Sequence, residues 1–458
     1  MREKPNVIVV ISHDTGRFVR PYGVTTVNTP ACDRLAEEGV VFDGMFCTAP
    51  QCSPSRAGLF TGRAPHATGV HGLTHRPFDF DIRDGVRHAA SYFRELGYRT
   101  FAAGSCHETH SLDRHGFDAI ERDRNALTMP DAFKDWLGTG DGPFFAELST
   151  FQTHRPFPTD EIPPDDSLGV TVTPPLEPTA GTIADFAALQ GSVKQWDTGL
   201  GRLLDILDTE GLTENTLLFV TSDHGVAMPL AKATLFDRGI GVLGFMRYPA
   251  GGVSGGRRYP EMLSNLDVLP TLLEAAGGLD AAGRAHTGGT PESESAFHGR
   301  SFLPLLQDRP YEANSEIFAE LTYHGYYKPM RCVRTDRYKY IRHFSPAVNH
   351  MVPSDVMRGG AYRDNLDLIL GYRRTRYEEL FDLTEDRDET VDLLSPAGEA
   401  ADQRAGRRQA AAVEGVREDL SRRLAVWMRE TGDPILDGGI PSPSEHSGRE
   451  EMRRLSGL

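Results

Sequence analysis

The sequence contains no uninterrupted apolar run near the ~20 residues that a bilayer-spanning helix requires, which excludes an α-helical membrane protein. No secretory leader pattern precedes the first apolar run at 7–11, so the chain reads as soluble and cytoplasmic. Cysteine is scarce. The five present, Cys32, Cys47, Cys52, Cys106 and Cys332, are odd in number and lack zinc-type spacing, which argues against a disulfide framework and for reduced thiols. Positive charge is in deficit: 49 Lys and Arg stand against 65 Asp and Glu, a formal net charge of −16. Nucleic acid is thereby disfavoured as a general partner, because backbone phosphates need a clustered basic surface. The acidic excess serves solubility and weighs against a long polyanionic substrate unless a local basic pocket overrides it.

What is present fits a large globular protein. The 458 residues are 39% hydrophobic and 25% charged, enough for one large α/β domain and a smaller second unit. Segments 7–11, 100–103, 144–148 and 217–221 read as buried strands, each a short apolar run bounded by polar or turn residues. Between them Val193, Trp196, Leu200, Leu203, Leu204 and Leu207 recur at helical spacing, so strands alternate with helices. Ionisable residues follow each strand: His13 and Asp14, His107 and Glu108, His154, then Asp223 and His224. Ligands of open α/β sheets bind beyond the carboxyl ends of the strands, so these groups are expected to converge on one crevice.

Residues 155–180, rich in proline, are expected to form an irregular loop near the site, and 277–299 a loose stretch before a domain change at 308–315. We therefore divide the chain into a catalytic domain, 1–310, and a smaller domain, 311–458. In the latter, 330–333 and 338–341 read as paired strands about a polar turn and 379–383 as a third. Val416, Leu420, Leu424 and Trp427 place one apolar helix face on that sheet, and a polar tail follows Gly432.

The most specific stretch is Cys52-Ser53-Pro54-Ser55-Arg56-Ala57-Gly58-Leu59-Phe60-Thr61-Gly62. Pro54 suits a first helical turn, so Cys52 is expected at a helix N-terminus that favours anions, with Arg56 adding a fixed positive charge. This stretch matches every fixed position of C-x-P-S-R-x-x-L-x-T-G and resembles the type I sulfatases of the alkaline-phosphatase-like superfamily. Asn28-Thr29-Pro30 with Asp33-Arg34-Leu35-Ala36, Thr221-Ser222-Asp223-His224-Gly225 and Lys232-Ala233-Thr234-Leu235-Phe236-Asp237 resemble further family segments. So do Tyr338-Lys339-Tyr340-Ile341 and Glu379-Leu380-Phe381-Asp382-Leu383, making the resemblance nearly chain-length. Gln51-Cys52-Ser53-Pro54-Ser55-Arg56 is similar to heparan N-sulfatase-like members.

The resemblance implies an α/β fold with a large mixed, mostly parallel sheet flanked by helices, and a smaller C-terminal α+β domain with an antiparallel sheet. It implies that a formylglycine-generating enzyme oxidises Cys52, and that His13, Asp14, Cys52, Asp223 and His224 hold one divalent cation. Calcium is the family's default, with magnesium and manganese as alternatives, because imidazole suits softer ions than calcium. His13 departs from the usual carboxylate, leaving direct ligation and an outer position both open. Ser105 stands where the family has lysine, so sulfate orientation is expected to fall to Arg56 and Lys232, with His75 or Arg76 as a further contributor.

Catalysis is expected from Cys52, Arg56, His107, His154 and Lys232. One formylglycine hydroxyl attacks sulfur, His154 or Lys232 protonates the leaving group, and His107 deprotonates the second hydroxyl so that sulfate is expelled. Glu108 reads as a helix-start carboxylate and His110 as a surface imidazole. The expected activity is hydrolysis of a small sulfated substrate, carbohydrate or otherwise, carrying an O-sulfate or a sulfamate. The alternatives are a phosphodiesterase or phosphonate monoester hydrolase on the same fold, and a non-catalytic anion-binding relative.

Overall fold

The computed structural model describes residues 4–279, 283, 285, 297–346, 350–372, 376–395 and 403–444, so parts of the loose stretch 277–299 and of the tail lie outside the described residues. Eight strands form the large sheet: β1 Asn6–Ser12, β2 Val40–Phe42, β3 Arg99–Gly104, β4 Ala119–Glu121, β5 Phe144–Ser149, β6 Thr216–Ser222, β7 Gly244–Arg247 and β8 Arg257–Tyr259. Their order is β4-β3-β5-β1-β6-β7-β2-β8, and every pairing is parallel except the two made by β7.

Alternation along the central strands feeds both faces of this sheet. Val7, Val9 and Ile11 join one hydrophobic cluster, and Ile8 and Val10 the other; Leu217 and Phe219 divide from Leu218 and Val220 in the same way. The helix Ala180–Thr209 covers the second cluster through Trp196, Leu200, Leu203, Leu204 and Leu207. Each such side chain contributes about 1.5–3 kcal/mol on full burial. The first cluster is covered by the helix Val268–Ala275 and by a second sheet.

That second sheet is antiparallel, in the order β9 Glu316–Tyr323, β10 Tyr327–Thr335, β11 Tyr338–His343 and β12 Glu378–Asp382. Ile317, Ala319, Leu321, Cys332 and Ile341 face the large sheet's cluster. Val333, Tyr340 and Leu380 instead pack with Leu420, Leu424 and Met428 of the helix Gln403–Glu430. Trp427 stacks on Phe318 with ring centroids 4.8 Å apart, adding an aromatic contact to the apolar seam. The fold is the expected α/β arrangement with a smaller antiparallel sheet. Among the described residues no helix is long and apolar enough to cross a membrane.

Candidate active site

The carboxyl ends of β1, β3, β5 and β6 lie side by side, because β3-β5-β1-β6 are consecutive in the sheet. Asp14 leaves β1 in the left-handed region at φ 52°, an unfavourable conformation for a residue with a Cβ. Its backbone N–H donates to Asp223 Oδ1 at 2.9 Å, and Asp223 N–H donates to Ser12 O at 3.1 Å, which ties the two strand ends together. At β3, Gly104 adopts φ +83°, and a Cβ there would stand 1.9 Å from Ser149 O. Only glycine lets the chain turn so closely past β5 toward His107.

Opposite these strand ends sits the helix Cys52–Thr61, with every residue buried. Pro54 lies in its first turn, where a missing N–H leaves no helical bond unmade, and Gly62 ends the helix at φ 64°. Cys52 is therefore at the helix N-terminus, as the proline position predicts. Its Sγ lies 3.3 Å from His224 Nε2, 3.8 Å from His13 Nδ1 and 3.9 Å from Asp14 Oδ1.

His13, Asp14, Cys52, Asp223 and His224 are all buried, and one donor atom from each lies within 4.8 Å of the others. His13 Nδ1 is 3.0 Å from Asp14 Oδ1 and 3.3 Å from Asp223 Oδ2. His224 Nδ1 is 3.0 Å from Gly225 O, which makes Nδ1 an N–H donor and turns Nε2 inward. That Nε2 lies 2.8 Å from Asp14 Oδ1, a buried contact that a proton on the imidazole bridges and that a cation bound in its place would also bridge. The donor set of two imidazoles and two carboxylates around one point therefore fits a divalent cation.

The electrostatics have the same cause. Burial pushes the His13 and His224 imidazoles down, but Asp223, Asp14 and the Cys52 thiolate outweigh it, raising His13 to about 9 and His224 well above its ordinary value. Burial works against the Cys52 thiolate, yet His13, His224 and Lys232 hold that thiol well below its usual range. Asp14 is likewise kept ionised against burial, chiefly by Lys232 and His224.

Two further cations flank the set. Arg56 has no side-chain exposure; its Nε and Nη2 donate to Asp223 Oδ2 at 3.2 and 3.1 Å, and its Nη1 to Ser149 Oγ at 2.7 Å and Ser105 O at 3.1 Å. Ser105 thus contributes a carbonyl that receives an arginine. Lys232 Nζ donates to Asp14 Oδ2 at 2.7 Å and Asp355 Oδ2 at 2.9 Å and lies 3.1 Å from His154 Nε2. Burial opposes the Lys232 charge, but Asp14, the Cys52 thiolate and Asp355 hold the ammonium well above its ordinary range.

His107 Nε2 is 3.0 Å from His13 Nε2, and burial lowers His107 to about 4, leaving it neutral. His154 is partly open, with 20% of its side chain exposed. All the expected site residues thus come together. Thr74 Oγ1 donates to His107 O at 3.0 Å, bringing the next two residues, His75 and Arg76, alongside, where both are exposed.

Glu108 is a correction to the sequence reading. It is fully buried rather than capping a helix, and lies with His88 and Glu147 in a second closed cluster beneath the site. An apolar strand context gave no sign that Glu147 would be carried inside β5. His110 is exposed and 3.4 Å from Asp79, as a surface imidazole should be. Asp355, which meets Lys232, escaped sequence reasoning because it sits in a short helix, Ser354–Met357, with no catalytic motif around it. The five cysteines are all free and buried.

A sulfatase family model matches residues 5–279. An ulvan-active sulfatase of Formosa agariphila is 28% identical over 467 residues, covering 96% of this chain and 83% of that protein. The N-sulphoglucosamine sulphohydrolase of Homo sapiens is 26% identical over 483 residues, covering 94% and 92%. A protein solved in complex with its substrate D-glucosamine-2-N,6-O-disulfate superposes with a TM-score of 0.68 at 16% identity, covering 94% of this chain and 99% of that one.

Proposed function

Since the chain belongs to the sulfatase family and is a sulfatase, we propose that it hydrolyses a sulfated carbohydrate, an O-sulfate or a sulfamate, at position 52. The observation that carries this reading is the buried cluster of His13, Asp14, Asp223 and His224 around Cys52, with one donor atom of each within 4.8 Å of the others, at a helix N-terminus flanked by Arg56 and Lys232.

His13, Asp14, Asp223 and His224 would hold one divalent cation with the group at position 52. When bound, that ion supplies positive charge to a developing oxyanion and orients the nucleophilic oxygen. Calcium is the first candidate, with magnesium and manganese next, and the two imidazoles weigh toward a softer ion than calcium. Cys52 is the residue that a formylglycine-generating enzyme would oxidise, and its sulfur marks where the new oxygens would stand.

Arg56 fixes the Asp223 carboxylate through two nitrogens and keeps its charge beside the anion. Lys232 and His154, 3.1 Å apart, face the leaving group; the lysine holds charge and the partly open imidazole moves the proton at Nε2. His107, neutral and beside position 52, is placed to accept a proton there. The test is a product-resolved screen of defined O- and N-sulfated sugars, measuring inorganic sulfate release with and without chelator. The expected result is chelator-sensitive sulfate release from at least one sulfated sugar. Turnover of phosphodiesters alone would contradict the assignment.

A further inference from the structure

Phe151 is 50% exposed although it lies two residues beyond the buried strand β5 and touches two imidazoles of the site. Its ring centroid is 5.5 Å from that of His13, edge on, and 4.7 Å from that of His154, tilted by 32°. The loop that carries it is pinned to the first strand. Thr150 N–H donates to Ile11 O at 3.1 Å, His13 N–H to Gln152 O at 3.1 Å, Thr153 N–H to His13 O at 3.3 Å, and His154 N–H to Phe151 O at 2.9 Å. A single exposed ring is ordinary by itself, but this one is held on a constrained backbone against two imidazoles of the site, where it forms part of the site's rim.

Asp355 reaches the same imidazole from a different element, the helix Ser354–Met357. Its Oδ2 accepts from Lys232 at 2.9 Å and lies 3.9 Å from His154 Nε2, with 18% of the side chain exposed. The aromatic ring and the carboxylate therefore both adjoin His154, at the part of the site where His154 and Lys232 meet the leaving group. A pyranose presents the matching pair of surfaces: a C–H face that packs on an aromatic ring, and hydroxyls that donate to a carboxylate.

The geometry points to Phe151 as a specificity-determining residue that seats the ring of a sulfated sugar unit, with Asp355 accepting one of its hydroxyls. This rests on the sulfatase reading of position 52 and extends it by giving the sugar a place. Phe151 acts on the bound ring and takes no part in the bond that breaks.

Binding to the thiol form of the protein tests this without turnover. Glucosamine N-sulfate and glucosamine 6-sulfate are titrated by calorimetry, with inorganic sulfate as the reference ligand. Phe151→Ala should weaken at least one sulfated sugar about tenfold, equivalent to about 1.4 kcal/mol, while changing inorganic sulfate by less than about twofold. Phe151→Trp should restore sugar binding, because a flat aromatic face is retained. Sugar binding by Phe151→Ala equal to the parent overturns the proposal. So does an equal loss of sugar and inorganic sulfate, which would mark a structural role for the ring, and so does parent protein that binds neither sugar better than inorganic sulfate. Failure of the sulfatase reading shows elsewhere, as formylglycine-bearing parent that releases no sulfate from any sulfated compound while the binding comparison still stands.

Discussion

Replacing Arg56 by alanine removes a guanidinium with no exposed side-chain surface and four hydrogen bonds: two to Asp223, one to Ser149 Oγ and one to Ser105 O. Asp223 would then keep a buried carboxylate facing His13 alone on that side. Breaking a buried pair by deleting one partner costs about 3–5 kcal/mol. Unfolding entropy of about 2.1 cal/mol/K per residue gives roughly 1 kcal/mol/K for this chain, so the melting midpoint should fall by about 3–5 °C. Arg56→Lys keeps the charge but cannot span Asp223, Ser149 and Ser105 with one ammonium, and should fall about half as far. Melts followed by near-UV circular dichroism, with and without inorganic sulfate, make the measurement on the thiol form, where turnover plays no part. Sulfate should raise the parent midpoint and raise that of Arg56→Ala far less. An Arg56→Ala midpoint within about 1 °C of the parent, with sulfate stabilisation intact, would refute both the energetic argument and the anion-binding role.

Asp14→Ala and Asp223→Ala should each abolish divalent-cation retention, measured by elemental analysis of purified protein, more severely than His13→Ala; full metal in both carboxylate variants removes the site. Lys232→Met should slow release of a sugar leaving group by about 100-fold and affect a nitrophenyl leaving group much less, as expected when the lost group assists departure. Equal losses on both would show that Lys232 serves sulfate binding instead. Burial lowers His71 to about 4, partly offset by Glu320. Between its ordinary value near 6.5 and about 4 the unfolded chain binds a proton that the folded chain refuses, so stability falls as pH falls through that window, by on the order of 2–3 kcal/mol. Urea midpoints between pH 7 and 4 should show this decline, and His71→Gln should flatten it; an unchanged slope would exclude His71 as its source.

Much of the large sheet was legible because its central strands are apolar on both faces. A run such as Val7–Ile11 needs cover on both sides, and the polar residues that follow it mark the strand end where a site can form. Convergence of four strand ends was readable for the same reason, since parallel strands place their carboxyl ends together. The packing of β9–β12 onto the same cluster as β1 could not be read, because an apolar position in a strand does not say which partner it meets. Glu147 shows a different limit. Its neighbours Phe145 and Leu148 announce a buried strand, and alternation alone cannot reveal that an intervening carboxyl finds a closed pocket with His88 and Glu108. Asp355 and Phe151 are specified by tertiary contact with His154 and carry no local spacing that distinguishes them from ordinary loop and surface residues.

The central claim, that position 52 performs the chemistry as an oxidised cysteine, is tested most directly by measuring modification and turnover on the same protein samples. The chain is produced with and without a formylglycine-generating enzyme, the peptide spanning Cys52 is weighed by mass spectrometry, and sulfate release is measured from each preparation. The account predicts sulfate release in proportion to the fraction of aldehyde at position 52, a single sulfation event without further turnover in Cys52→Ser, and none in Cys52→Ala. Repeated turnover at the parent rate by protein that retains an unmodified thiol, or by Cys52→Ser, would contradict it.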